Sequence, residues 1–159
     1  MNEEYASLVS NLPLFKGYTT DGAKRILSAG QIRDLQAGEV LFNEGDPPAF
    51  TLLVLKGKLQ VYVVRHGKDL ILTDALPSTV LGELSVLCGT PRSASVRVVE
   101  DSTVLQWDDE DFRGLLTRDV FLSQRIFRES LRTLLEKERS LIDSLTNDDE
   151  QLKQSEQTA

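Results

Sequence analysis

Leu81-Gly82-Glu83-Leu84-Ser85-Val86-Leu87-Cys88-Gly89-Thr90-Pro91-Arg92-Ser93-Ala94-Ser95-Val96-Arg97-Val98 is the stretch around which the rest of the chain organises. Gly82 has no Cβ, so the backbone there can come close to a ligand, and Glu83 to Leu87 can make one turn of helix directly after it. A helix start leaves the N–H groups of Gly82, Leu84 and Ser85 unpaired and carries partial positive charge, so it attracts an anion. Arg92 offers the countercharge. Pro91 fixes the backbone entering that arginine, and a guanidinium fork fits two oxygens of one phosphate. Glu83 is unfavourable beside an anion unless its carboxylate accepts from a donor, a role that sugar hydroxyls would fill. The alternation of Ala94, Val96 and Val98 predicts a strand that anchors the arginine to a sheet. The same residues also fit a plainer arrangement, in which Glu83 and Arg92 form an ion pair on a turn and Gly82 is a loop glycine.

The order Gly82-Glu83-Leu84-Ser85-Val86-Leu87, then Gly89-Thr90-Pro91-Arg92-Ser93-Ala94-Ser95-Val96, resembles the phosphate-binding cassette of the cyclic-nucleotide-binding domain family. That resemblance implies a site made of Gly82, Glu83, Leu84, Ser85, Arg92, Ser93 and Ala94. In it Glu83 holds the ribose 2′-hydroxyl, Arg92 binds the cyclic phosphate, and backbone N–H groups near Leu84 and Ser85 complete the cradle. Ser93 stands where some members place a hydroxyl on the phosphate or on a guanine. Leu81 replaces a frequent aromatic residue, and Pro77-Ser78 a frequent Pro-Gly. The implied ligand is cAMP, with cGMP or another small anionic effector as alternatives. As a residue waiting for its ligand, Arg92 is expected to matter little to the stability of the unliganded chain.

The chain has 159 residues, 40% hydrophobic and 27% charged, which suits one soluble globular domain. Its net charge of −7 disfavours nonspecific contact with nucleic acid or an anionic membrane. A single cysteine forms no internal disulfide, and no N-terminal apolar run resembles a signal peptide or a span, so the cytoplasm is the default compartment. One His and one Cys build neither a zinc site nor a cysteine-ligated cluster, which argues against a metal-dependent phosphodiesterase. His66, in Arg65-His66-Gly67-Lys68, is expected in an exposed hairpin turn, and Cys88 as a small apolar residue.

In chain order, an amphipathic segment from Tyr5 to Leu12 stops at Pro13, and Leu14-Phe15 anchors it to the core. Thr19 or Thr20 caps a second helix that ends at Gly30. Short strands are predicted at Ile32 and Leu35, Val40 to Phe42, Thr51 to Leu55, Leu59 to Val64, Leu70 to Ala75, Ser95 to Val99 and Thr103 to Trp107, punctuated by Gly38, Gly45, Gly57 and Gly67. The expected fold is mainly β with flanking helices. It is a β-roll of the jelly-roll type with N-terminal helices, an inserted short phosphate-binding helix and a long C-terminal helix.

Asp108 or Asp109 caps a short helix carrying Phe112, Leu115 and Leu116, and Asp119 caps a long one to about Leu145. Along it Val120, Gln124, Phe127, Leu131, Leu134, Glu138, Leu141 and Leu145 alternate at spacings of four and three, as in a coiled-coil seam. A homodimer through this helix is expected, against the alternative that the stripe packs on its own β-roll. Residues 1–145 are read as one domain and 146–159 as a disordered acidic tail. No DNA-binding segment follows the helix, so the expected role is a non-enzymatic sensor acting on an unidentified downstream protein, without direct contact to nucleic acid or membrane. The competing expectation is a ligand-independent dimerisation or adaptor module of the same fold.

Overall fold

Two long strands carry the architecture: β3 (Phe50–Arg65) and β6 (Ser95–Asp108) pair antiparallel along nearly their whole length. The structure, a computed structural model, describes residues 3–158. β1 (Gln31–Leu35) and β2 (Val40–Phe42) pair with β6, and β4 (Lys68–Ala75) and β5 (Val80–Leu81) pair with β3. The sheet order is β1-β6-β3-β4 with β2 and β5 off the path, so β4 is an edge strand. This is the β-roll that the sequence predicts, with helices before, within and after it.

The four strands expected at 51–55, 59–64, 95–99 and 103–107 merge into two. Gly57, at φ 89, does not end a strand; the β3/β6 register shifts on both sides of it, which makes it a bulge that bends the ribbon. A Cβ at Gly57 would lie 2.2 Å from Ser102 Oγ and 2.5 Å from the Asp101 carbonyl, so the facing chain leaves room for no side chain. Ser102 Oγ accepts from the Lys58 N–H at 3.0 Å and donates to the Glu100 carbonyl at 2.6 Å, which fixes the bend.

Inside the roll, Leu35, Phe42, Leu52, Val54, Leu59, Val61, Val63, Ala94, Val96, Val98 and Val104 form one apolar cluster. Residues between these on β3 and β6, Leu53, Leu55, Leu105 and Trp107, are also buried. They face the other side of the ribbon, where Phe112 packs 5.8 Å from Trp107. Thr51 to Leu55 is therefore covered on both faces, which is why it reads as a continuous apolar run and not an alternating one.

The helices that cover this outer face start with α1 (Glu3–Ser10), a 3-10 turn at Pro13–Phe15 and α2 (Thr20–Ser28). Thr19 caps α2 by accepting from the Gly22 N–H at 3.1 Å. Ser78, at φ 79, occupies the left-handed position where glycine would be easier, and its Oγ accepts from the Leu14 N–H at 3.0 Å. At the β3/β4 tip Arg65 pairs with Lys68, leaving a two-residue turn of His66 (φ 53) and Gly67 (φ 73), and His66 is exposed as expected.

Within the roll the inserted helix α3 (Glu83–Cys88) follows β5, and α4 (Asp109–Arg118) follows β6. Asp108 occupies the N-cap of α4 but its side chain makes no capping bond; the acids Asp109, Glu110 and Asp111 fill the first turn instead. Asp119 does cap the last helix, α5 (Val120–Gln157), through the Leu122 N–H at 2.9 Å.

The expected end of that helix near Leu145, with a disordered tail over 146–159, is corrected: α5 continues to Gln157. The segment contains no Gly or Pro, and Leu, Glu, Gln and Lys are good helix formers, so nothing local stops propagation. The chain divides within α5 into one compact unit through Ser123 and a second from Gln124. In the second unit Phe127, Leu131, Leu134, Leu141 and Leu145 of the expected seam are exposed. Among the described residues, no helix is long and apolar enough to cross a membrane.

Candidate functional site

α3 is a six-residue helix with left-handed residues at both ends, Gly82 (φ 80) and Gly89 (φ 65). At Gly82 the conformation and the space agree: a Cβ there would stand 2.3 Å from Arg92 Nη1. Leu84 and Ser85 lie in the first turn, so their N–H groups have no intrahelical acceptor. Glu83 and Ser85 are buried and Leu84 is partly exposed, which turns the carboxylate and the hydroxyl inward.

Arg92 is held by its backbone against the turn between β2 and β3. Its N–H donates to the Asp46 carbonyl at 2.9 Å, and its carbonyl accepts from the Gly45 N–H at 2.8 Å. The residue is 3% exposed. Nη1 donates to the Gly82 carbonyl at 2.9 Å and Nη2 to the Phe50 carbonyl at 2.5 Å, while Nε has no hydrogen-bond partner among the described residues. The guanidinium carbon lies 4.1 Å from the centre of the Phe42 ring and 5.0 Å from that of Phe50. Burial lowers its pKa below the ordinary arginine value, and the carboxylates of Asp46 and then Glu83 pull it back up. It stays a cation at any physiological pH.

The structure thus brings Arg92 against Gly82 and into the field of Glu83 at the start of α3, where Glu83, Ser85 and Arg92 are buried. Ala94 is buried in the apolar cluster of the roll, whereas Ser93 is exposed. The expectation that Arg92 matters little to the unliganded chain is corrected, since the side chain bridges two backbone carbonyls 32 residues apart in sequence, Gly82 and Phe50. Sequence reading missed Phe42, Phe50 and Asp46 as its surroundings. Phe42-Asn43-Glu44-Gly45-Asp46 reads as a strand end and turn, and only the fold carries it to Arg92. Cys88 is a free, exposed cysteine.

A buried cation beside helix-start amides, with a carboxylate next to it, is an arrangement suited to one anion and one hydroxyl-bearing group. Among the described residues no group of three or more His, Cys, Asp or Glu is placed to hold a metal ion.

The chain is similar to known proteins. The chain is 28% identical over 127 residues to a cAMP-dependent protein kinase regulatory subunit of Blastocladiella emersonii, covering 79% of this chain and 31% of that one. It is 27% identical over 137 residues to the potassium channel SKOR of Arabidopsis thaliana, covering 86% of this chain and 16% of that one. It therefore spans less than a third of these curated relatives. The crystal structure of the Thermus thermophilus catabolite activator protein superposes with a TM-score of 0.73 at 30% identity, covering 81% of this chain and 61% of that one. Residues 32–119, more than half of the chain, match the cyclic nucleotide-binding domain, and the chain belongs to that family.

Proposed function

We propose that this chain is a sensor that binds cAMP at the start of α3 and passes its occupancy to a downstream protein, without turning the nucleotide over. Arg92 takes the cyclic phosphate, the N–H groups of Leu84 and Ser85 complete the cradle, and Glu83 accepts from the ribose 2′-hydroxyl. Gly82 supplies the close approach, and Ser93 and Ala94 border the phosphate. The observation that carries this reading is the buried Arg92 guanidinium, whose Nε lacks a partner while both terminal nitrogens are spent on backbone carbonyls. A phosphate offers a buried arginine a full countercharge that neutral carbonyls do not. cGMP is the alternative ligand, with the hydroxyl of the exposed Ser93 to meet a guanine.

The long helix supports the second half of the reading. Its exposed stripe from Phe127 to Leu145 fits a homodimer, with Glu138 interrupting the apolar positions. A second reading, a ligand-independent dimerisation module, has one observation in its favour: the terminal nitrogens of Arg92 are already satisfied by the protein itself. Calorimetric titration with cAMP, cGMP and AMP separates the two. Saturable binding of a cyclic nucleotide over AMP supports the sensor, and no heat with any of the three supports the module.

A further inference from the structure

We propose that Arg113 is the positioning residue that ties α3, and with it the nucleotide cradle, to α4. The inference rests on the ligand reading above and names how occupancy leaves that site. Arg113 projects from α4, where its Nε donates to Asp109 one turn earlier and its Nη2 donates to the carbonyl of Val86 in α3.

That carbonyl needs an outside donor. α3 ends at Cys88, and the N–H groups of Gly89 and Thr90 both turn back to the Ser85 carbonyl, so the carbonyl of Val86 is among those the helix end leaves over. A guanidinium at a helix C-terminus also complements the partial negative charge there. The same guanidinium that pairs with Asp109 thus reaches the Val86 carbonyl.

α3 is thus bracketed by two arginines. Arg92 grips the Gly82 carbonyl at its start, and Arg113 grips the Val86 carbonyl near its end. The two grips respond differently to a ligand. When Arg92 turns to a phosphate its bond to Gly82 weakens, while the Val86 bond lies outside the cradle and persists. α3 is then free to adjust about its anchored end, and the adjustment is carried into α4. Two attachments of α4 stand ready to register it. Phe112, next to Arg113, packs on Trp107, and Asp119, just after α4, accepts from the Tyr18 hydroxyl at 2.9 Å with both oxygens while capping α5.

The test uses the full chain as wild type, Arg113→Ala and Arg113→Lys, with three readouts. These are cAMP affinity by calorimetry, the change in Trp107 emission on saturation with cAMP, and amide exchange of residues 84–88 and 109–119. Trp107 is the sole tryptophan, so the emission comes from one site on β6, against which Phe112 of α4 packs. Without nucleotide, Arg113→Ala should speed exchange of residues 84–88. With cAMP it should keep its affinity within about fivefold, less than the tenfold that 1.4 kcal/mol represents, yet lose most of the Trp107 response. Arg113→Lys, which keeps one cationic donor for the Val86 carbonyl, should recover more than half of that response.

A merely structural arginine would lower affinity and response together. An Arg113→Ala chain that retains the full Trp107 and α4 response overturns the proposal, as does a lysine variant no better than the alanine one. A wild-type chain that binds neither cAMP nor cGMP refutes the ligand reading. The exchange of residues 84–88 without nucleotide still decides whether Arg113 anchors α3, and unchanged exchange there removes the anchor.

Discussion

Gly82→Ala tests the geometry of the cradle without any ligand. The new methyl would stand 2.3 Å from Arg92 Nη1, on a residue held at φ 80. A non-glycine residue in that conformation costs about 1 kcal/mol. To clear the methyl, the guanidinium must leave the Gly82 carbonyl at 2.9 Å and strain its bond to the Phe50 carbonyl at 2.5 Å. Loss of one charged hydrogen bond adds about 2 kcal/mol, for a total of about 3 kcal/mol. In an Arg92→Ala background the collision no longer exists, and the same substitution should cost only the backbone share, about 1 kcal/mol. The double-mutant cycle should therefore show a coupling of about 2 kcal/mol. Urea unfolding followed through the fully buried Trp107 measures all four chains. Equal costs of Gly82→Ala in the two backgrounds would refute the contact between the glycine and the arginine.

Four further outcomes are expected. Arg92→Ala should weaken cAMP binding by roughly 3 kcal/mol, about a hundredfold, in calorimetry; a loss under about threefold would remove the arginine from the site. Glu83→Gln should erase the preference for cAMP over 2′-deoxy-cAMP, and a mutant that still discriminates as wild type does would free Glu83 from the sugar. Ser78→Ala keeps the strained φ of 79 and loses the bond to Leu14, so it should melt lower than Ser78→Gly, which loses the bond but relieves about 1 kcal/mol of strain; the reverse order would deny the hydroxyl its role. Glu138→Leu should strengthen self-association in light scattering, and a wild type that stays monomeric at high micromolar concentration would discard the seam.

The roll and its site were legible in the sequence to different depths. The cassette could be read because its chemistry is local. Gly82, Glu83, Ser85 and Arg92 lie within eleven positions, and the fold had only to close a short loop to bring them together. The surroundings of Arg92 were not legible, because Phe42 and Phe50 reach it through the β2–β3 turn and neither carries a local signal. Strand ends failed at Gly57 because a glycine marks a break and a bulge alike, and only the 2.2 Å approach of Ser102 decides which. The end of α5 failed for the opposite reason. The polar composition after Leu145 suggested disorder, although helix propensity there is high and no breaker intervenes.

The edge strand β4 has a consequence for life in a crowded solution. Leu70, Ile71 and Leu72 are about half exposed on a strand paired on one side only, the kind of surface that recruits strands from other chains. The sequence answers with charge at both ends of the run. Asp69 pairs with Arg97 at 2.6 Å and Asp74 with Lys58 at 3.2 Å, so carboxylates flank the apolar triplet and are held in place. The β3/β4 register also slips between Val61 and Tyr62, skipping Leu72 within the triplet, and a bulge there disrupts the regular edge that a second chain would need. Asp69 and Asp74 thus act as gatekeepers against intermolecular pairing, and the same two residues are where neutralising substitutions would first convert a folded chain into an aggregating one.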